Sequence, residues 1–312
     1  MERGIMLLIA LFFCFAGHSE ERAFSGKVMN KDGKGIPYTA IFMHNTGIGY
    51  YTDSNGAFHF KYDTDCNEIV QFRCIGYRTK QIYISELFPD SVSVSLDRED
   101  IRLDPVVVSW GKEKTETGVL GNTGAKKFRE GCSNCQRGVY GSFEDEYGVF
   151  LKADSQRQGI LKDVYVYITK DGLPQSSFRV HVYNVDGKKF APLNDITDSN
   201  VVVHGQKGNE WVRVDLSNKK IPVKGGVFIT VEWVTGHYYY PKSWSKEILY
   251  TRAQVVGMAR EYCKQAMISV HRKVYDNAWN VDICQPGEGR KVMSTSIYAT
   301  YTFASNDTYV SN

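Results

Sequence analysis

The chain has 312 residues, of which 23% are charged, 42% hydrophobic and 13% aromatic. That length allows two domains, and that mixture buries a core and excludes a disordered polypeptide. The formal net charge of +3 is too small to argue for nucleic acid or an acidic membrane surface as a partner.

The first feature along the chain is an apolar run over residues 5–15, "IMLLIALFFCF". It has the length of a signal-peptide core and is short for a membrane span. Gly17 and Ser19 stand at the small-residue spacing for cleavage before Glu20, which makes residues 1–19 the leader. Cutting after Ala16, an uncleaved anchor and a lipoprotein are the alternatives, although Phe13 rather than a small residue precedes Cys14. No later run is apolar enough to cross a bilayer, so an exported chain, periplasmic or outer-membrane associated, is expected to have no span after cleavage. Export also governs the cysteines. Once Cys14 has left, Cys66, Cys74, Cys132, Cys135, Cys263 and Cys284 remain, an even set that fits disulfides in an oxidising compartment. Proximity favours Cys132 with Cys135 and Cys263 with Cys284.

Residues 24–110 read as short strands separated by turns: "FSGKVMN", "YTAIFMH", "AFHFKY", "EIVQFRCIGY", "TKQIYIS", "SVSVSL" and "PVVVS". Strands at this spacing, with Gly, Asp and Asn between them, indicate an all-β sandwich. The turn "TDSNG" lacks the ligand spacing of a calcium loop. Asp53 and Asn55 suit an Asx turn, Gly56 suits a positive φ, and Phe58 and Phe60 share the core face of the following strand. Residues 111–141 are rich in Gly and charge and read as a linker or long loop. A second β region occupies residues 142–305. Val164, Val166 and Ile168 alternate with polar neighbours, as do Phe178, Val180 and Val182, which predicts antiparallel sheets with one wet face. Two such sheets would form a second, jelly-roll-like sandwich. The stretch "TRAQVVGMAREYCKQAM" fits either a short helix or an irregular pair of strands.

Several motifs of the first region occur together and in order. They are Gly26 and Val28, then Gly33, then Pro37 and Ala40, then Thr52, Asp53, Gly56 and Phe58, and finally Gly76 with Tyr77. In this the region resembles the carboxypeptidase regulatory-like domain. The resemblance implies a transthyretin-like β-sandwich, of a kind abundant in envelope proteins of the Bacteroidota and often found at the front of outer-membrane transporters. Residues 142–305 are similar to the sandwich that follows such modules in short exported proteins. In zinc carboxypeptidases the module is an appendage to a separate catalytic domain. The His-x-x-Glu metal pair of that domain has one counterpart here, His18 with Glu21, and it straddles the expected cleavage site. A transporter's plug and barrel do not fit in the residues that remain.

Signatures of chemistry are sparse. The seven histidines show no metal-ligand spacing. Cys132 and Cys135 form one CxxC in a Gly-rich stretch, compatible with a disulfide, a metal site with distant partners, or a redox pair. Gly-x-Ser-x-Gly, Walker A and Rossmann patterns are absent. Glu144, Asp145, Glu146, Asp215 and Glu232 read as surface acids on strands, with a glycosidase-like pairing as the alternative. The segment "GHYYYPKSW" follows a strand and gathers His237, Tyr238, Tyr239, Tyr240 and Trp244. Such rings either cap the core or stack on sugar faces at a sandwich end. The expectation is a non-catalytic exported module of the cell envelope that needs no cofactor or metal and recognises a protein or a glycan. The alternatives are an accessory subunit of an outer-membrane nutrient transporter, or a hydrolase with dispersed acids on the second sandwich.

Overall fold

The computed structural model describes residues 21–45, 49–63, 68–87, 91–99, 115–121, 123, 138–140, 145–172, 174–197, 199–234, 254–262, 267–273, 278–284 and 291–304. Among them the regular elements are strands and two short 3-10 turns, so the fold is all-β. The first sandwich contains β1 (Glu21–Met29), β2 (Ala40–Met43), β3 (Gly49–Tyr51), β4 (Ala57–Asp63), β5 (Ile69–Arg73), β6 (Lys80–Tyr83) and β7 (Val92–Ser95). A three-stranded sheet in the order β4-β1-β7 faces a four-stranded sheet in the order β3-β2-β5-β6. Their inner faces bury Phe24, Val28, Phe58 and Phe60 against Ile41, Met43, Val70 and Phe72.

Two glycines shape this body. Gly26 of β1 lies under the Phe58 ring, where an added Cβ would come within 2.5 Å of Phe58 Cζ and 2.2 Å of the Val92 carbonyl oxygen. The turn into β4 is an Asx turn: Asp53 Oδ1 accepts the N–H groups of Asn55 and Ala57, each at 2.8 Å. Gly56 there takes φ +79°, the left-handed region that glycine enters at no steric cost.

The second sandwich begins earlier than its composition suggests. It contains β8 (Thr115–Gly121), β9 (Gly138–Tyr140), β10 (Asp145–Lys152), β11 (Gly159–Gly172), β12 (Ser177–Val185), β13 (Pro192–Asp195), β14 (Val202–His204), β15 (Glu210–Asp215), β16 (Pro222–Val223) and β17 (Gly226–Trp233). It is completed by β18 (Gln254–Tyr262), β19 (Met267–Lys273), β20 (Asn280–Cys284), β21 (Lys291–Thr295) and β22 (Ile297–Ala304). One sheet runs β13-β12-β17-β10-β19-β20 with β14 added on β12. The other runs β21-β18-β11-β22-β8, with β15 and β16 also on β11 and β9 on β18. Val164, Val166 and Ile168 of β11 meet Val180 and Val182 of β12 and Ile229, Val231 and Trp233 of β17 in one core.

Three expectations change here. The segment 111–141 is not a linker throughout, because β8 within it pairs with β22 along seven residues. Its Gly and charge content suits an edge strand, whose outer side meets water. The ambiguous "TRAQVVGMAREYCKQAM" contains a strand, β18, held between β11 and β21. The expected wet face is missing from the centre of the seven-stranded sheet, where every residue of β17 is buried. Its second face is covered by the outer face of the first body's four-stranded sheet, and Ala40, Phe42 and Tyr51 pack there beside Val234.

Trp233 is fully buried and Leu193 is 54% exposed. Trp233→Ala is expected to destabilise the fold by about 3–5 kcal/mol and Leu193→Ala by less than about 0.5 kcal/mol. Urea denaturation of both variants checks this; equal shifts would contradict the assigned core.

Candidate functional site

The face of the seven-stranded sheet that meets the first body is charged. Strand register places Arg179 of β12 opposite Glu232 of β17, Glu232 opposite Glu146 of β10, and Glu146 opposite Arg272 of β19. A straight row, Arg-Glu-Glu-Arg, therefore crosses four strands. His181 and Tyr183 follow Arg179 on the same face of β12 at the two-residue spacing of a strand. Asp195 of β13 pairs with Tyr183. Arg179, Glu232, Glu146 and His181 are each 3% exposed or less.

Charges so deeply buried require partners, and these have them. Arg179 Nη1 donates to Glu232 Oε2 at 2.6 Å and its Nε to Asn200 Oδ1 at 2.6 Å. His181 contacts Glu232 Oε2 through Nε2 at 2.9 Å and Asp195 Oδ2 through Nδ1 at 2.7 Å. Asp195 in turn accepts from the Thr197 hydroxyl at 2.6 Å. Glu146 accepts from Tyr183 Oη at 2.9 Å, from the Thr230 hydroxyl, and from Arg272 Nε at 2.9 Å. The Arg272 guanidinium also lies over the Trp279 ring, 4.2 Å from its centroid.

The first body closes the cluster. Tyr51 of β3 donates its hydroxyl to Glu232 Oε1 at 2.9 Å. Arg179 Nη2 donates to the carbonyl oxygen of Tyr38 at 2.5 Å, and Asn200 Nδ2 donates to that of Pro37 at 2.7 Å. Tyr38 adopts φ +52°, uncommon for an aromatic residue, so strained backbone presents one of these acceptors.

The protonation states follow from this wiring. Burial opposes the charged form of His181, but Glu146, Asp195 and the hydrogen bonds to Asp195 and Glu232 outweigh it and raise its pKa to about 9. Burial likewise opposes the Glu232 carboxylate, and Arg179 with His181 overcomes this and holds it well below its ordinary range. Asp195 is also lowered, through His181 and Thr197 against the opposing effect of burial. Burial pushes the Cys74 thiol up, the opposite of an activated cysteine.

Above this floor lies a cleft of about 1120 Å³ between the two bodies. Gln71, Arg73 and Glu99 of the first body line it opposite Asn194, Asp186 and Trp279 of the second. Among the described residues no group of His, Cys, Asp and Glu is arranged to hold a metal ion.

Of the acids that sequence reasoning treated as surface groups, Asp215 is exposed and Asp145 half-buried on their strands. Glu146 and Glu232 are not surface acids: both are buried in the charge row because a second sheet covers them. Glu144 lies outside the described residues, as do His237, Tyr238, Tyr239, Tyr240 and Trp244 and also Cys132, Cys135 and Cys263. Cys284 ends β20, and its side chain is outside the description. Sequence reasoning missed Arg179, His181, Asp195 and Arg272. The signal that could have found them was a Glu inside the otherwise apolar run "GGVFITVEWV", with Arg and His alternating on a neighbouring strand.

Residues 24–108 match the family described as CarboxypepD_reg-like domain. The chain contains a CarboxypepD_reg-like domain. It comprises the first sandwich, and Pro37, Tyr38 and Tyr51, which complete the buried cluster, belong to it. Comparison with curated proteins gives no match. Among solved structures, a variant of BcpA, the major pilin subunit of Bacillus cereus, is similar at 10% identity, and BcpA itself at 9%. Each alignment covers 88% of this chain and 69% of the other, with a TM-score of 0.19, a score too low to carry an argument. Among the described residues no helix is long and apolar enough to cross a membrane.

Arg179→Met removes the cation and leaves Glu232 buried without its strongest partner. It is expected to cost about 3–5 kcal/mol, measured by chemical denaturation; a loss under about 1 kcal/mol would show the pair to be dispensable. The pH dependence has a definite sign. Between about 6.5 and 9 the unfolded chain has released the His181 proton while the folded chain keeps it, so stability declines as pH rises, by up to about 1.4 kcal/mol per pH unit. Glu232 and Asp195 act at the other limit: their contribution is present above the ordinary carboxylate range and is lost as pH falls below it. His181→Gln should flatten the alkaline limb of the stability profile, and an unchanged slope would refute the assignment.

Proposed function

We propose that the chain is an exported, non-catalytic binding module that holds its ligand in the cleft between two β-sandwiches locked together by the buried charge row. The observation that carries this reading is the cleft itself, because both bodies line it and its floor is already paired. General acid–base chemistry needs groups whose pKa lies near the working pH. Here His181 is held protonated at neutral pH, Glu232 is held ionised by Arg179, and the Cys74 thiol is disfavoured from ionising. A glycosidase-like use of Glu146 and Glu232 would need carboxyl groups free to meet a substrate; both are buried and bonded, Glu146 to Tyr183, Thr230 and Arg272 and Glu232 to Arg179, His181 and Tyr51. The apolar run at residues 5–15 supports export, and the CarboxypepD_reg-like domain supports a structural or recognition role over catalysis.

The test blocks the cleft. Thr79 is exposed and lines it, so Thr79→Trp narrows the opening without touching the charge row. Thermal unfolding of wild type and variant is compared across a panel of envelope polysaccharides and peptides. A cleft ligand at about a hundred times its Kd adds about 2.7 kcal/mol to the wild type and much less to the variant. A panel that stabilises neither protein, or both equally, contradicts the reading. Ligand recovered in cleaved form by mass spectrometry would restore the hydrolase alternative.

A further inference from the structure

The polar groups that the fold leaves open in this cleft differ in kind from those on its floor. The floor pairs Arg179, Arg272 and His181 with Glu232, Glu146 and Asp195. At the rim Arg73 and Lys189 are balanced by Glu99 and Asp186. Among the described residues acids and bases match in both layers, so an ionic ligand would find no surplus charge among them to neutralise. Among the described residues the open groups include uncharged amides beside the Glu99 carboxylate and the Lys189 ammonium. The Asn194 side-chain amide has no partner among the described residues, and Gln71 engages only its Oε1, with His44 at 2.8 Å, leaving Nε2 open. The Glu99 carboxylate on the first-body side likewise has no side-chain partner among the described residues. The half-buried indole of Trp279 adds an aromatic wall to these groups.

The strand edge that contributes Asn194 to the cleft is poorly suited to accept a peptide as an extra strand. β13 is four residues long, begins with Pro192, and has its Asn194 N–H bonded to Asn184 Oδ1 at 2.7 Å. Short strands and Pro are the devices by which sheets refuse edge pairing. Gln71 and Arg73 of β5 belong to a sheet face whose backbone groups already pair along the ladders, so there recognition falls to side chains; loop residues such as Ile75, Gly76, Thr79 and Lys189 complete the lining. Planar amides and a carboxylate on facing walls, an aromatic ring beside them and no net charge make a site for a polyhydroxylated, uncharged molecule.

We propose that the cleft takes a neutral oligosaccharide, bridged between Gln71 and Glu99 on one wall and Asn194 and Trp279 on the other. This rests on the cleft being a binding site, and the experiment separates the two claims. Purified full chain is titrated calorimetrically with cello-, malto-, xylo- and chito-oligosaccharides and with a pool of uncharged peptides. Trp279→Ala, Asn194→Ala and Gln71→Ala are the cleft variants, each checked for native unfolding; Asn194 is exposed, so its variant is expected to keep the fold. Trp211→Ala, on a strand of the other sheet, is the control. At least one oligosaccharide is expected to bind, about tenfold or more weakly to the cleft variants and unchanged to the control. Peptide binding that depends on Asn194 would overturn the ligand class and keep the cleft. Binding by neither class, or binding indifferent to all three cleft variants, would overturn both.

Discussion

The requirement that buried charges be paired organises this molecule. Four strands of one sheet carry Arg179, Glu232, Glu146 and Arg272 in a single register row, the first three buried and Arg272 half-buried at the cleft. Each ion removed from water costs several kcal/mol unless neighbours replace its hydration. Those neighbours come from two places. Cross-strand partners supply most of them, and the first sandwich supplies the Tyr51 hydroxyl and the Pro37 and Tyr38 carbonyls. These three contacts depend on how the bodies are docked, so a shifted docking would leave Arg179, Glu232 or Asn200 short of a partner. A purely apolar interface would tolerate sliding far better than this one does. The small apolar patch of Ala40, Phe42, Tyr51 and Val234 adds burial beside the charges without fixing direction.

The cleft follows from the same constraint. Residues of both bodies line it beside the contact that Tyr38, Tyr51, Arg179 and Glu232 make. Its floor is rigid because every charge there is already bonded. Its rim is adaptable because Gln71, Glu99 and Asn194 keep open polar groups. Under the proposed reading such a site would bind through preorganised walls, and the directions in which His181, Glu232 and Cys74 are shifted suit a base that holds its charges.

Much of the fold was legible in the sequence, for local reasons. The Asx turn at Asp53, the positive φ of Gly56 and the shared core face of Phe58 and Phe60 are set by residues within a few positions of one another. Val164, Val166 and Ile168 also reveal their face by alternation alone. The site was not legible, because alternation marks one buried face per strand and cannot tell that a second is covered from outside. Arg179 and His181 therefore read as wet positions, and Glu232 as a surface acid. Edge strand β8 escaped for a related reason: an exposed edge needs little apolar patterning, and Thr115, Glu116 and Thr117 look like a loop until β22 is beside them.

The most direct test of this account is a double-mutant cycle across the junction, using Tyr51→Phe, Glu232→Gln and the combination in urea denaturation. The two side chains belong to different bodies and meet in one hydrogen bond of 2.9 Å. If that charge-assisted contact ties the bodies together, the coupling energy should exceed about 1 kcal/mol. Losses that add to within about 0.3–0.5 kcal/mol would mean that the bodies meet without depending on the buried row, and would contradict the account.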